Sequence, residues 1–211
     1  MRTDDMIDLL VQDLQNQPKP VGTILLRWWP TAAALAGVGF LGIMGVRPDL
    51  AAAGLVPTLL KLMLGALIAL TAIAGALDLS RPEVQAPAAS KWLIAVVGFL
   101  GLVVATDLLR HGLDDGWARL FGKGIVTCLT LVPALAALPL IACLTILRRG
   151  ATTEPVAAGA LAGLASAGLA IFAYGLFCTE DSPLFIATWY SLAALIVGLA
   201  GAALGRAMLR W

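Results

Sequence analysis

Residues 125–147 read IVTCLTLVPALAALPLIACLTIL, an apolar run without a single charged side chain. Backbone N–H and C=O groups in lipid have no water to bond, so a crossing chain must satisfy them internally, as a helix or as a closed barrel. The run has no period-two alternation of polar and apolar residues, which argues against a barrel strand. As a helix rising about 1.5 Å per residue it reaches about 34 Å, enough for a hydrocarbon core of roughly 30 Å. Working outward, five more apolar stretches are long enough to cross: Trp28 to Val46, Leu55 to Leu77 with one charge at Lys61, Trp92 to Leu109 with one at Asp107, Pro155 to Phe177 and Leu184 to Gly205. The expected fold class is an all-α membrane protein with six transmembrane helices and a short cytoplasmic amphipathic helix at the amino end.

Composition agrees. Of 211 residues 60% are hydrophobic and only 13% charged, with a mean hydropathy of +0.93. A soluble protein would have to leave large apolar areas in water, which soluble monomers rarely do. The net charge of +1 argues against nucleic acid as a direct partner, because phosphate binding needs a basic face. Three cysteines are too few for a disulfide scaffold.

The chain divides into residues 1–16, a partner-binding helix; 17–27, a linker; and 28–211, the six-helix bundle embedded in the bilayer. The opening MRTDDMIDLL is acidic and lacks the pattern of a cleaved signal peptide, so the amino terminus is expected to be retained. Thr3 is placed to cap a helix whose first turn carries Asp4 and Asp5, next to the positive end of the dipole. Ile7, Leu10, Val11 and Leu14 recur at i, i+3, i+4 and i+7 and form one apolar face. A helix lying on anionic lipid would be rich in Lys and Arg. An acidic one suits a protein partner with a basic, apolar groove.

Six crossings put both ends of the bundle on one side. The amino segment, the even loops and the tail hold nine Lys and Arg, against four in the odd loops (Arg47, Arg110, Arg119 and Lys123). That bias predicts cytoplasmic termini. Gly159 with Gly163, and Gly201 with Gly205, are small-xxx-small pairs expected to pack helices within the chain. Pro133 and Pro139 each remove a backbone donor from the fourth span and invite a bend there. Lys61 and Asp107 lie at comparable depth in the second and third spans and are expected to form an intramembrane ion pair. Cys128 begins the fourth span and Cys178 ends the fifth, so both fall near the outer face, whereas Cys143 lies about 22 Å deeper in the fourth. Thiols on the oxidising side can form a disulfide or take up soft metal ions. The short loop between these spans predicts an antiparallel hairpin that brings Cys128 and Cys178 together.

The opening Arg2-Thr3-Asp4-Asp5 with Ile7, the two cysteines fifty residues apart, Cys178-Thr179-Glu180-Asp181, the pair Trp189-Tyr190 and the ending Leu209-Arg210-Trp211 together resemble the NrsF-like membrane anti-sigma factors of proteobacteria. The likeness runs the whole chain. It implies a six-helix protein of the bacterial inner membrane that restrains an extracytoplasmic-function sigma factor, with the family's two cysteines at Cys128 and Cys178, in responses to heavy metals and oxidants. It implies no enzyme activity and no resident cofactor, only transient heavy-metal binding at those two cysteines. A His often precedes the second family cysteine; here Phe177 stands in its place. Two other classes stay open on the residues alone: a small transporter using Lys61 and Asp107 as its polar path, and a membrane thiol oxidoreductase, against which the missing CxxC argues.

Overall fold

A computed structural model describes residues 21–48, 55–80, 89–112, 116–150 and 152–210. The expected helix over residues 1–16, with Asp4, Asp5, Ile7, Leu10, Val11 and Leu14, lies outside them. Among the described residues the fold is all helical: α1 (Val21–Met44), α2 (Leu55–Asp78), α3 (Ala89–His111), the short α4 (Gly116–Phe121), α5 (Ile125–Leu147), α6 (Pro155–Gly175) and α7 (Pro183–Met208). Six of them are long and apolar enough to cross a membrane. The chain therefore reads as a multi-pass membrane protein. Its first and last described residues share one end of the bundle, the proximal end; the loops after α1, α3 and α6 form the distal end.

Residues 125–147 form one helix, with Pro133 and Pro139 inside it. The largest departure from expectation is at α1, which begins at Val21 and so takes in the second half of the expected linker. Its first turns are apolar and Leu25 is fully buried, so packing extends the helix past Arg27. That exposed arginine needs no helix end, because its long stem carries the charge out to water.

Helix α6 is the hub, packed against α2, α5, α7 and α1. Its sequence PVAAGALAGLASAGLAIFAYG explains why, since lipid offers no hydrophobic drive between helices and close backbone approach supplies the contact instead. A Cβ added to Gly163 would lie 2.5 Å from Val197 O, and one on Gly168 would lie 2.5 Å from Ala69 N. Gly159 meets Gly201 and Gly205 in the same way. Both expected small-residue pairs thus face each other across the α6–α7 seam within the chain. The matching contact of Gly65 with Gly168 on the α2 side joins them. Ser166, buried in this hub, donates to Ala162 O at 2.8 Å and leaves no open polar group. Helix α3, by contrast, turns most of its surface outward, and Gly98 and Gly101 on it meet nothing within 4 Å.

Candidate functional site

The charged side chains buried among the helices lie toward the distal end, where α6 stops at Gly175 and residues 176–182 turn the chain into α7. Cys178 N still donates to Tyr174 O at 2.9 Å, which keeps the cysteine against the helix end, but its carbonyl has no helical partner. Lys61 of α2 fills that role, its Nζ donating to Cys178 O at 2.9 Å and to Asp181 Oδ1 at 2.7 Å. Arg47, just beyond α1, grips the same carboxylate with both ends of its fork, Nη1 to Oδ1 at 2.7 Å and Nη2 to Oδ2 at 2.9 Å. Its backbone N–H donates to Leu176 O at 3.1 Å. Bidentate, charge-assisted contacts of this kind are the strong and geometrically specific ones.

The Lys61 side chain is fully buried and that of Arg47 is 1% exposed, whereas that of Asp181 keeps 26%. Burial alone would raise the Asp181 pKa. The hydrogen bonds from Arg47 and Lys61, together with their charges, outweigh it and hold the carboxyl below the ordinary value of 3.8. Asp181 is thus a counter-ion shared by two buried cations, and it ties α1, α2 and the segment after α6 into one knot.

Cys128 and Cys178 are both buried and free, and they lie near enough to interact electrostatically. The hydroxyls of Tyr174 and Tyr190 approach Cys178, and the two rings meet edge to face with centroids 5.8 Å apart. The Tyr190 hydroxyl makes no hydrogen bond among the described residues. A cleft of about 290 Å³ leads in from the distal end between Arg47, Lys123, Glu180 and Tyr174, and Cys178 forms part of its wall. Among the described residues no set of three His, Cys, Asp or Glu is grouped to hold a metal ion. Two thiols, of Cys128 and Cys178, and two phenols, of Tyr174 and Tyr190, are gathered there. Cys143 is buried in α5, away from this cluster.

Glu180 fastens the other wall. Its Oε1 accepts from Lys123 N at 2.7 Å. Gly122, with φ of +32°, has room for no side chain: a Cβ there would fall 2.8 Å from Glu180 Oε2 and 2.9 Å from Phe185 Cδ2. Beside it, Trp189 Nε1 donates to Leu120 O at 2.7 Å from the π-helical turn Ile186–Tyr190 and holds α4 against the bundle.

The expected Lys61–Asp107 pair is corrected. Lys61 pairs with Asp181, whereas Asp107 bonds Arg119 at 2.7 Å, with His111 at 3.2 Å. Equal depth does not mean equal direction around the bundle axis, and each group found a partner on the loop nearest to it. The polar path that a transporter would have drawn from Lys61 and Asp107 is lost with the pair. Arg47, which the sequence offers only as a loop cation, and Asp181, which it offers only within the stretch Cys178-Thr179-Glu180-Asp181, are the members that sequence reasoning misses. Their signal was their shared end of the bundle with the second span's lone lysine.

The residues gathered here are those whose order and spacing resembled one family: Cys128, Cys178 with Glu180 and Asp181, and the Trp189-Tyr190 pair. A family model described as negative regulator of sigma F matches residues 10–211. The chain belongs to the NrsF family. It is 35% identical to the anti-sigma-F factor NrsF of Caulobacter vibrioides (strain NA1000 / CB15N) over 222 aligned residues that cover 100% of both proteins. No solved structure matches it. The family-model match includes Leu10, Val11 and Leu14 of the amino segment, whereas Asp4, Asp5 and Ile7 precede it.

Proposed function

We propose that this NrsF-family protein is an anti-sigma factor of the bacterial inner membrane, with both termini cytoplasmic, that holds an extracytoplasmic-function sigma factor through residues 1–16 and releases it when Cys128 and Cys178 react on the outer side. Family membership supports the regulatory role. The observation that carries the sensing part is the position of Cys178: it forms part of the wall of a cleft open at the distal end, while its carbonyl is held by Lys61 beside the Asp181–Arg47 clamp at the end of α1. Helix α1 is the span that follows the partner-binding segment in the chain. Oxidation of the two thiols to a disulfide gives two protons and two electrons to an oxidant; capture of a soft metal ion releases two protons and makes two metal–thiolate bonds. Either change draws Cys178 toward Cys128 and pulls its carbonyl against Lys61. Loosening the clamp lets α1 shift, and the amino segment moves with it. Reversing retention from 99:1 to 1:99 needs about 5.5 kcal/mol of differential interaction, a demand that one disulfide or two metal–thiolate bonds can meet.

The test is co-purification of the sigma factor with the full chain in detergent. Changing Ile7 and Leu10 to Asp should abolish capture and leave membrane insertion intact. Replacing Cys128 and Cys178 by Ser should preserve capture and abolish release by an oxidant or cadmium, with either single variant as defective as the double because one unit is broken. Release from the double variant would end the sensor reading. Capture unchanged by the Ile7 and Leu10 changes would end the amino-helix reading.

A further inference from the structure

Helices α1 and α5 run antiparallel and leave a groove of about 560 Å³ between them in the proximal half of the bundle. On α1 its wall is Ile24, Trp28, Thr31 and Leu35; on α5 it is Leu138, Ala142 and Thr145, with Arg149 in the turn just past its end. Each set recurs at helical spacing on one side and covers eleven steps along the chain, about 16 Å at helical rise. That is about half of a 30 Å hydrocarbon core, the depth of one leaflet. Because the helices are antiparallel, Ile24, Trp28 and Arg149 stand together at the mouth, and Leu35 and Leu138 at the floor.

The polar groups inside are silenced. Thr31 Oγ1 donates to Trp28 O at 2.7 Å, and Thr145 Oγ1 to Ile141 O at 2.9 Å, so both threonines have their hydroxyls committed to their own helices. The mouth differs: Arg149 is exposed and its guanidinium has no ion-pair or hydrogen-bond partner among the described residues. An apolar slot one leaflet deep, with an unpaired cation and an exposed tryptophan at the headgroup level, is complementary to a phospholipid with an anionic head.

We propose that the α1–α5 groove binds one acyl chain of an anionic phospholipid from the leaflet at the proximal face, with Arg149 holding its phosphate. The site does not depend on the anti-sigma reading. One Arg near the surface favours an anionic head by an amount corresponding to about a fivefold preference. Native mass spectrometry of the full chain, extracted from vesicles of equal phosphatidylglycerol and phosphatidylcholine, should show phosphatidylglycerol retained over phosphatidylcholine by about that factor. Arg149→Ala should erase the preference. Ala142→Phe, which fills the slot and keeps the charge, should lower retention of both lipids. Arg206→Ala, an exposed arginine at the same end on α7, should change neither. Equal retention of the two lipids by the unmodified chain would overturn the proposal. So would an equal loss with Arg206→Ala, which would mean diffuse attraction. Retention that rises when Ile7 and Leu10 are changed to Asp would also overturn it, because the amino segment would then be the occupant.

Discussion

The body of the hub helix α6 and its distal end are held by opposite means. Along its length, facing α2 and α7, it has glycine and alanine against backbone, with Gly163 on Val197 and Gly168 on Ala69; no charge takes part and nothing there can be switched. At its distal end the chain is held by a carboxylate shared between a buried lysine and a buried arginine. The first arrangement fails only if atoms are added. The second fails if one charge is lost or one atom is pulled away, which is what a responsive site requires. A membrane bundle can therefore be rigid in its middle and conditional at one end, provided the conditional contacts are few and strong.

The comparison breaks most visibly if glycine packing is not the rigid part. Gly163→Leu would push a side chain into the backbone of α7 and should cost about 3 kcal/mol or more of unfolding free energy in detergent. Gly98→Leu on outward-facing α3, where nothing lies within 4 Å, should stay within about 0.5 kcal/mol. Equal losses would erase the distinction.

At the conditional end, Asp181→Ala takes the shared carboxylate away from the buried Lys61 and Arg47. Breaking a buried pair costs about 3–5 kcal/mol; the side chain of Asp181 is 26% exposed and Lys61 keeps the Cys178 carbonyl, so about 2–3 kcal/mol is expected. Maleimide should label Cys178 faster in this variant, while Cys143, buried deeper in α5, keeps its rate. Acceleration at both thiols would mean that the whole bundle had loosened.

Acid sharpens the same contrast without a mutation. The folded Asp181 pKa lies below its ordinary value of 3.8, so its contribution to stability is complete above about pH 4 and is lost as pH falls through the folded value. Stability measured downward from pH 6 should hold level and then decline below about pH 4. Asp181→Asn should be less stable at pH 6 and lack this part of the acid decline. An identical decline in both proteins would assign it to other carboxylates.

The smallest effect belongs to the neighbouring loop. Trp189→Phe removes one hydrogen bond to Leu120 O, worth about 1 kcal/mol. Faster hydrogen exchange confined to Gly116–Phe121 should report it, with the Asp181 clamp undisturbed.

The spans were legible because hydropathy over twenty residues is a local property. Residues 125–147 emerged with the same bounds in sequence and structure, and the paired glycines of the fifth and sixth spans were readable as packing positions. Gly65, the third contact of this kind, escaped notice because Ala69 rather than a second glycine follows it by four, so its stripe looks like ordinary filler. That Cys128 and Cys178 share the distal end was legible from topology, since two helices joined by a short loop run side by side in opposite directions. The clamp was not. Arg47 and Asp181 are 134 positions apart, and no periodicity connects them.

Sequence by itself determined how many helices cross, how deep each residue lies and which residues share an end, because burial in lipid is read one residue at a time along a helix. Only the tertiary structure decided which neighbours face each other at a given depth. Rotation about each helix axis and order around the bundle are set by where backbones can touch at glycine, and those contacts turned Lys61 toward Asp181 rather than Asp107.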